Sequence, residues 1–222
     1  MTAARLVLAS ASPARLKTLQ RAGIAPFVMV SDVDEDAVLA GARQTYGDLA
    51  ADEVTLLLAR AKAEAVAGVL ESAEAPSDAP ADAVVVGCDS MLELDGAVHG
   101  KPRDAAEAIA RWQQMRGRTG VLHTGHWLID LRDPGSGATV GAVASTTVHF
   151  AQLADDELAA YVATGEPLAV AGAFTVDGLG GAFVEGIEGD HHNVVGISLP
   201  LLRALLADCG IPWVDLWASA AS

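Results

Sequence analysis

Two hydrophobic rhythms alternate along this chain. Leu6-Val7-Leu8-Ala9 is a short continuous apolar run, the pattern of a buried strand. Leu16, Leu19 and Gln20 then recur at helical spacing, which predicts a helix that stops at Gly23. The start of that helix is legible. Ser12 reads as its N-cap, because the hydroxyl can accept a backbone N–H that the first turn leaves orphaned. Pro13 fits the first helical position, where its missing N–H costs nothing. Phe27-Val28-Met29-Val30 predicts a second strand, ending in an acidic turn from Ser31 to Asp36. A long Ala- and Leu-rich helix is expected from about Asp52 to Gly68, and Pro76 and Pro80 mark Glu71 to Asp82 as a loop.

The alternation continues downstream. Val84-Val85-Val86 reads as a buried strand, and Leu92-Glu93-Leu94 as a second short strand with an Asp95-Gly96 turn. Asp104, with Glu107 three residues on, forms a capping box for a helix that Gly117 ends. Strands at Val121–Leu131 and Ala138–Phe150 flank the turn residues Arg132-Asp133-Pro134-Gly135-Ser136-Gly137. A short helix is expected from Asp155 to Thr164, stopping at Gly165. One strand at Ala182–Glu185 lies in the Gly-rich stretch Gly172–Gly189, and a last helix covers Pro200–Cys209. With no internal repeat and no clean linker, the pattern predicts a single α/β domain over residues 1–222, its core at about residues 5–216, with a mixed β-sheet and flanking helices.

Composition narrows the function. Hydrophobic residues make up 51% and charged residues 19% of 222 residues, enough to bury a real core. Two cysteines, Cys88 and Cys209, are too few for a disulfide framework and suit a reducing compartment. The apolar run after Arg5 is too short for a secretion signal, and Arg15, Lys17 and Arg21 follow at once. The uncharged run Pro134–Ala154 is rich in Gly, Ser, Thr and His, so it predicts no membrane span. A soluble cytoplasmic protein is expected. The net charge of −15 argues against a nucleic-acid or anionic-membrane partner. Of 14 Lys and Arg residues, 13 lie at or before Arg132, so a phosphate site belongs to the first 132 residues. An acidic protein that binds a polyanion also gains from a divalent metal.

Four clusters could carry chemistry. Free N–H groups and the positive dipole end at Ser12 favour an anion, and Ser10 and Arg15 point the same way; an ordinary capped helix is the plain alternative. In Gly87-Cys88-Asp89-Ser90, a carboxylate ends a buried strand, where open α/β sheets place ligands, although a turn-capping Asp would look the same. Gly100-Lys101-Pro102-Arg103 puts a cation at a stiff turn, and a hairpin would bring Lys101 back towards Asp89. Asp32, Asp34, Glu35 and Asp36 form either a solvated loop or a source of one carboxylate for a divalent cation. Other features are set aside. His191-His192 beside Asp190 suggests zinc but lacks a third ligand at suitable spacing. His123 and His126 fall on opposite faces of a strand. Cys88 has no Cys-His-Asn pattern around it, and the glycine runs are not strand–GxGxxG–helix units.

Taken in order, these segments resemble the Maf family of nucleoside triphosphate pyrophosphatases, bacterial septum-inhibitor-type proteins. The resemblance rests on Ser10-Ala11-Ser12-Pro13 with Arg15, Val33-Asp34-Glu35, Lys62, Gly87-Cys88-Asp89-Ser90, Gly100-Lys101-Pro102 and Gly117-Arg118-Thr119. It continues through Tyr161 to Leu168, Ala171-Gly172-Ala173-Phe174, Gly178-Leu179-Gly180 and Asn193-Val194-Val195-Gly196. It implies a mixed α/β fold similar to the inosine-triphosphate pyrophosphatases, two lobes around a cleft, and often a homodimer. It also implies metal-dependent cleavage of a nucleoside triphosphate to monophosphate and pyrophosphate, with Asp89 as the catalytic carboxylate. Three positions depart from the family pattern: Ala14 replaces a second arginine, Ser90 a threonine, and Asp177 the glutamine of pyrimidine-preferring members. These departures leave the nucleobase open.

The expected mechanism combines both readings. A magnesium or manganese ion held by Glu35 and Asp89 bridges phosphate oxygens. Ser10, Ser12, Arg15, Lys62 and Lys101 grip the triphosphate, and Ser90 and Asp177 join the substrate-binding positions. Asp89 acts either as general base or as the ligand that orients the attacking water. The alternative is a non-catalytic nucleotide-binding regulator of cell division; the intact Glu35, Asp89 and Lys101 weigh against it.

Overall fold

A computed structural model describes residues 4–133 and 135–217. Pro134 of the predicted turn therefore lies outside the described residues. The chain opens with strand β1 (Arg5–Ala9), helix α1 (Pro13–Arg21) and a two-residue strand β2 (Phe27–Val28). Helices α2 (Glu35–Tyr46) and α3 (Ala51–Leu70) follow, then the long strand β3 (Ala83–Leu94), strand β4 (Ala97–His99) and helix α4 (Ala105–Met115). Strands β5 (Thr119–Asp130) and β6 (Thr139–Phe150), helix α5 (Asp155–Ala163), strand β7 (Val184–Glu188) and helices α6 (His191–Val195) and α7 (Leu199–Asp208) complete it.

Among the described residues seven strands form one sheet in the order β2-β1-β3-β5-β6-β7, with β4 paired to β3. The sheet is mixed, as predicted. Strand β1 runs parallel to β2 and β3, with Ala9 opposite Gly87. The β3–β4 hairpin turns through Asp95 (φ 51°) and Gly96 (φ 77°), the two positive dihedrals that a tight hairpin turn requires. Strand β7 pairs antiparallel with β6.

The described chain separates into two compact units. One comprises the residues up to Asp89, Gly125–Val143 and those from Leu199 on; the other comprises Ser90–Thr124 and Ala144–Ser198. The first has a core in which Val7 and Ala9 of β1 and Val85 of β3 meet Ala63, Val66 and Ala67 of α3. Helix α3 lies unusually close to the sheet. Thr55, Ala59 and Ala63 recur every four residues along one buried face. A side chain on Gly87 of β3 would collide with the Ala59 carbonyl and come within 2.9 Å of the Ala63 nitrogen, and one on Gly125 of β5 would collide with the Thr55 backbone. The second unit is built round Trp112. Its ring meets Phe150, Tyr161 and Phe183 edge-on at 5.7–6.0 Å, and its Nε1 donates to the Ala173 carbonyl at 2.7 Å.

Several expectations need correction. The acidic segment is no open turn: Asp34 caps α2 by accepting from the Ala37 N–H at 2.9 Å, and Glu35 and Asp36 sit in the first turn, where acids suit the helix dipole. Leu92–Leu94 is not a separate strand but the end of β3. Asp104 caps α4 as predicted, through the Glu107 N–H at 2.8 Å, but Glu107 reaches back to the Arg103 N–H instead of that of Asp104. Residues Leu179–Phe183 form a 3-10 turn, so β7 starts at Val184 and not at Ala182. Helix α6 was not foreseen. No helix among the described residues is long and apolar enough to cross a membrane.

Candidate active site

Two groups of side chains converge where β1 ends beside the middle of β3. The first is the β1–α1 turn. Ser12 is the N-cap and accepts from the Arg15 N–H at 3.4 Å, with Pro13 next in the first turn. Ser10 Oγ accepts from the Ser12 N–H at 3.2 Å and from Arg15 Nη1 at 3.0 Å. The two serines and the arginine are thus tied together. Arg15 is only 9% exposed, which separates it from a solvated helix residue.

The second group is an ion-pair bridge. Lys62 Nζ donates to Asp89 Oδ1 at 2.6 Å and lies 2.8 Å from Glu35 Oε1. Each partner comes from a different element: Glu35 opens α2, Lys62 projects from α3 and Asp89 lies within β3. The two groups adjoin because β1 and β3 are parallel neighbours. Ser10 follows Ala9 and Asp89 lies two residues beyond Gly87, its register partner. Helix starts and strand ends at such a sheet edge are where α/β folds hold ligands.

Burial dominates the electrostatics. Desolvation raises the Asp89 pKa above its ordinary value against the pull of the Lys62 and Arg15 cations, and Glu35 adds to the rise. Asp89 Oδ2 is buried with no hydrogen-bond partner. A carboxylate oxygen left so is costly, and it invites a proton, a water or a cation. Glu35 and Asp89, drawn to one ammonium, offer the hard oxygen donors that magnesium or manganese prefers. The expected metal pair therefore fits. Lys62 was expected to grip phosphate alone, yet it also holds both carboxylates, which leaves a third N–H for a further acceptor. Burial pushes the Cys88 thiol up to about 11, so it is no nucleophile.

The remaining candidates belong to the second unit. Ser90 Oγ shares a hydrogen bond of 2.9 Å with Thr124 Oγ1. Lys101 is exposed just after Gly100, and Asp177 is exposed in the Gly-rich stretch. Two residues of this unit escaped the sequence reading. Arg111, on the buried face of α4, donates to the Gly100 carbonyl at 2.5 Å and so holds the turn that carries Lys101. Glu166 accepts from Tyr161 OH, Thr175 Oγ1 and the Leu179 and Gly180 N–H groups at 2.5–3.1 Å, wrapping the segment with Asp177 round one carboxylate.

The profile of the family described as Maf-like protein matches residues 5–209. The chain belongs to this family. A nucleoside triphosphate pyrophosphatase of Salinispora tropica is 58% identical over 98% of this chain and 89% of its own length. Another, from Streptomyces coelicolor, is 56% identical over 97% and 96%, and one from Leifsonia xyli is 51% identical over 97% and 98%. In this Maf-like protein the segments that carried the resemblance are also the segments that build the geometry. Gly87 sits under α3, and Asn193 is wholly buried, its Nδ2 donating to the Leu122 and Ala144 carbonyls at 3.1 Å.

Proposed function

We propose that this Maf-like protein hydrolyses a nucleoside triphosphate to the monophosphate and pyrophosphate, with the β1–α1 turn and the Glu35–Lys62–Asp89 bridge as its chemical centre. Asp89 carries the reading. It is a buried carboxylate in the middle of β3, not at the strand end that the sequence suggested, paired through one oxygen and orphaned at the other, beside a helix start fit for phosphate. The names of the relatives support the same activity.

In this reading the α1 N-terminus, Arg15 and Lys62 bind the phosphates. Water adds to the α-phosphorus, the bond to the α–β bridging oxygen breaks, and pyrophosphate leaves with the electron pair. The raised Asp89 pKa moves that carboxylate towards the range of an effective base, and its free Oδ2 is the atom positioned to orient the water or take its proton. A magnesium or manganese ion held by Glu35 and Asp89 would neutralise charge on the phosphate oxygens. A pure nucleotide-binding regulator of cell division has little use for an orphaned carboxylate beside a polyanion. A homodimer, expected from the family, and a cytoplasmic site of action, expected from the composition, belong to the same reading.

The test is the product pair. Phosphorus NMR of a triphosphate digested in magnesium or manganese should show monophosphate and pyrophosphate. Orthophosphate with diphosphate would place the attack at the γ-phosphorus and overturn the proposal.

A further inference from the structure

We propose that Asp190, His191 and His192 form a transition-metal site of the zinc, nickel and copper class, sharing no residue with the Glu35–Asp89 pair. In sequence the two histidines lacked a third ligand. The structure supplies one, because the Asp190 carboxylate and both imidazoles present donor atoms within 4.8 Å of one another.

The spacing suits a metal. Bonds of about 2.0–2.1 Å set tetrahedral ligands about 3.3 Å apart. A hydrogen bond of 3.1 Å between His192 Nδ1 and Asp190 Oδ1 already holds that ring beside the carboxylate, and a metal bound through Oδ2 would replace it. The remaining closure falls to His191, whose side chain is exposed. The two rings lie side by side, their centroids 3.8 Å apart and 38° from coplanar.

One oxygen of the carboxylate is also left for a cation. Asp190 Oδ1 is occupied, since it accepts from the His192 N–H at 3.0 Å as the cap of α6 and also meets His192 Nδ1, so the oxygen left for a metal is Oδ2. Asp190 Oδ2 is buried and has no partner. Leaving an ionised oxygen so is costly, and a metal bond would offset that cost.

The mount is rigid. Thr146 Oγ1 donates to the Asp190 carbonyl at 3.0 Å, fixing the residue to β6. Asn193, next in the chain, is wholly buried, and its Nδ2 reaches Leu122, Ala144 and Thr146. Little ordering is left for the metal to impose. The mixed nitrogen and oxygen donors select zinc, nickel or copper over magnesium. Three protein ligands leave a coordination position open to water or an anion.

Cobalt(II) is the probe, titrated into the full-length protein in saturating magnesium. One equivalent should bind with the strong visible absorption of a tetrahedral ion, and Asp89→Asn should leave it intact. His191→Gln, His192→Gln and Asp190→Ser should each weaken cobalt binding at least tenfold with unchanged circular dichroism; Ser keeps the helix cap but removes the carboxylate. No tetrahedral absorption in the wild type would overturn the site. So would an absorption that survives both histidine variants, or one that Asp89→Asn removes.

Discussion

The carbonyl oxygen of Ala59 occupies the space that a side chain on Gly87 would need. Ala59 lies one helical turn before Lys62, so this contact sets how near Lys62 comes to Asp89, two residues beyond Gly87. Gly87→Ala should push α3 off the sheet at that point. Overpacking of this kind costs about 1–3 kcal/mol, which a denaturant titration would read. The loss of kcat should exceed what the stability change explains, because the 2.6 Å ion pair stretches. A variant with wild-type turnover would show that the Lys62–Asp89 distance does not matter to the reaction.

Asp89→Asn keeps the shape and removes both the base and the charge. A loss of about 10²-fold or more in kcat is expected, the scale of a positioned general base. Nucleotide binding by titration calorimetry should persist, since the Ser12–Arg15 turn is untouched. The same variant reports on pH. Because burial raises the folded-state pKa of Asp89, its stabilising contribution is present below about pH 4, its unfolded value, and is lost as pH rises through the folded value. The metal-free wild type should therefore lose stability relative to Asp89→Asn as pH rises from about 4.

Arg15 is the cation of the β1–α1 turn, and with Ala14 before it no second guanidinium shares its work. Its Nη1 donates to Ser10 Oγ at 3.0 Å, which fixes the plane of the fork. Lysine keeps the charge but neither the fork nor the planar grip on phosphate. Arg15→Lys should lower kcat/KM by about tenfold, the worth of about 1.4 kcal/mol. Full activity in the lysine variant would mean that Arg15 serves the fold alone.

What the sequence disclosed was local chemistry. Ser12 as cap and Pro13 in the first turn were legible because capping acts within four residues. The valines of β3 announced a buried strand in the same way. Helix α2 was hidden because Asp34, Glu35 and Asp36 serve equally as a solvated loop and as a cap with its first turn, and Ala42 is the only residue of α2 that is buried. Gly87 was visible but its purpose was not, since that depends on α3 crossing β3 from more than twenty residues away. The Glu166 carboxylate was opaque for the same reason: it draws its donors from Tyr161, Thr175, Leu179 and Gly180, which share no period.

A different carboxylate should contribute to stability in acid. Asp130 is fully buried and accepts from Arg132 Nε and Nη2 and from the Ser136 N–H and hydroxyl at 2.6–2.8 Å. The Arg132 hydrogen bonds, aided by Ser136, hold its carboxyl well below the usual range. Its folded pKa is depressed, so its contribution is present above the unfolded value of about 3.9 and is lost as pH falls towards the folded one. Urea unfolding between about pH 5 and 2 should show a shallower acid loss for Asp130→Asn than for the wild type. Parallel curves would mean that Asp130 titrates alike in both states.

In the proposed reading, Asp177 meets the base. It is exposed, on a segment that Glu166 holds through the Leu179 and Gly180 N–H groups. A glutamine can both donate and accept, so it can read the mixed edge of uracil or thymine; an ionised aspartate only accepts. A carboxylate presented to the base should favour an edge with adjacent donors, and guanine offers N1–H beside its 2-amino group. Uracil would instead turn a carbonyl towards the carboxylate, an unpaired and repulsive contact. Hydrogen bonds to a charged group are worth about 1.5–3 kcal/mol, enough for a ten- to hundredfold preference. We therefore expect kcat/KM to favour guanine-type triphosphates over UTP and dTTP, and Asp177→Gln to narrow the gap. Glu166→Gln tests the support separately, because an amide nitrogen cannot accept the N–H groups that the carboxylate now holds. It should blunt the preference while leaving the Asp177 side chain in place. If specificity is the same in Asp177→Gln as in the wild type, Asp177 faces solvent and the base is read elsewhere.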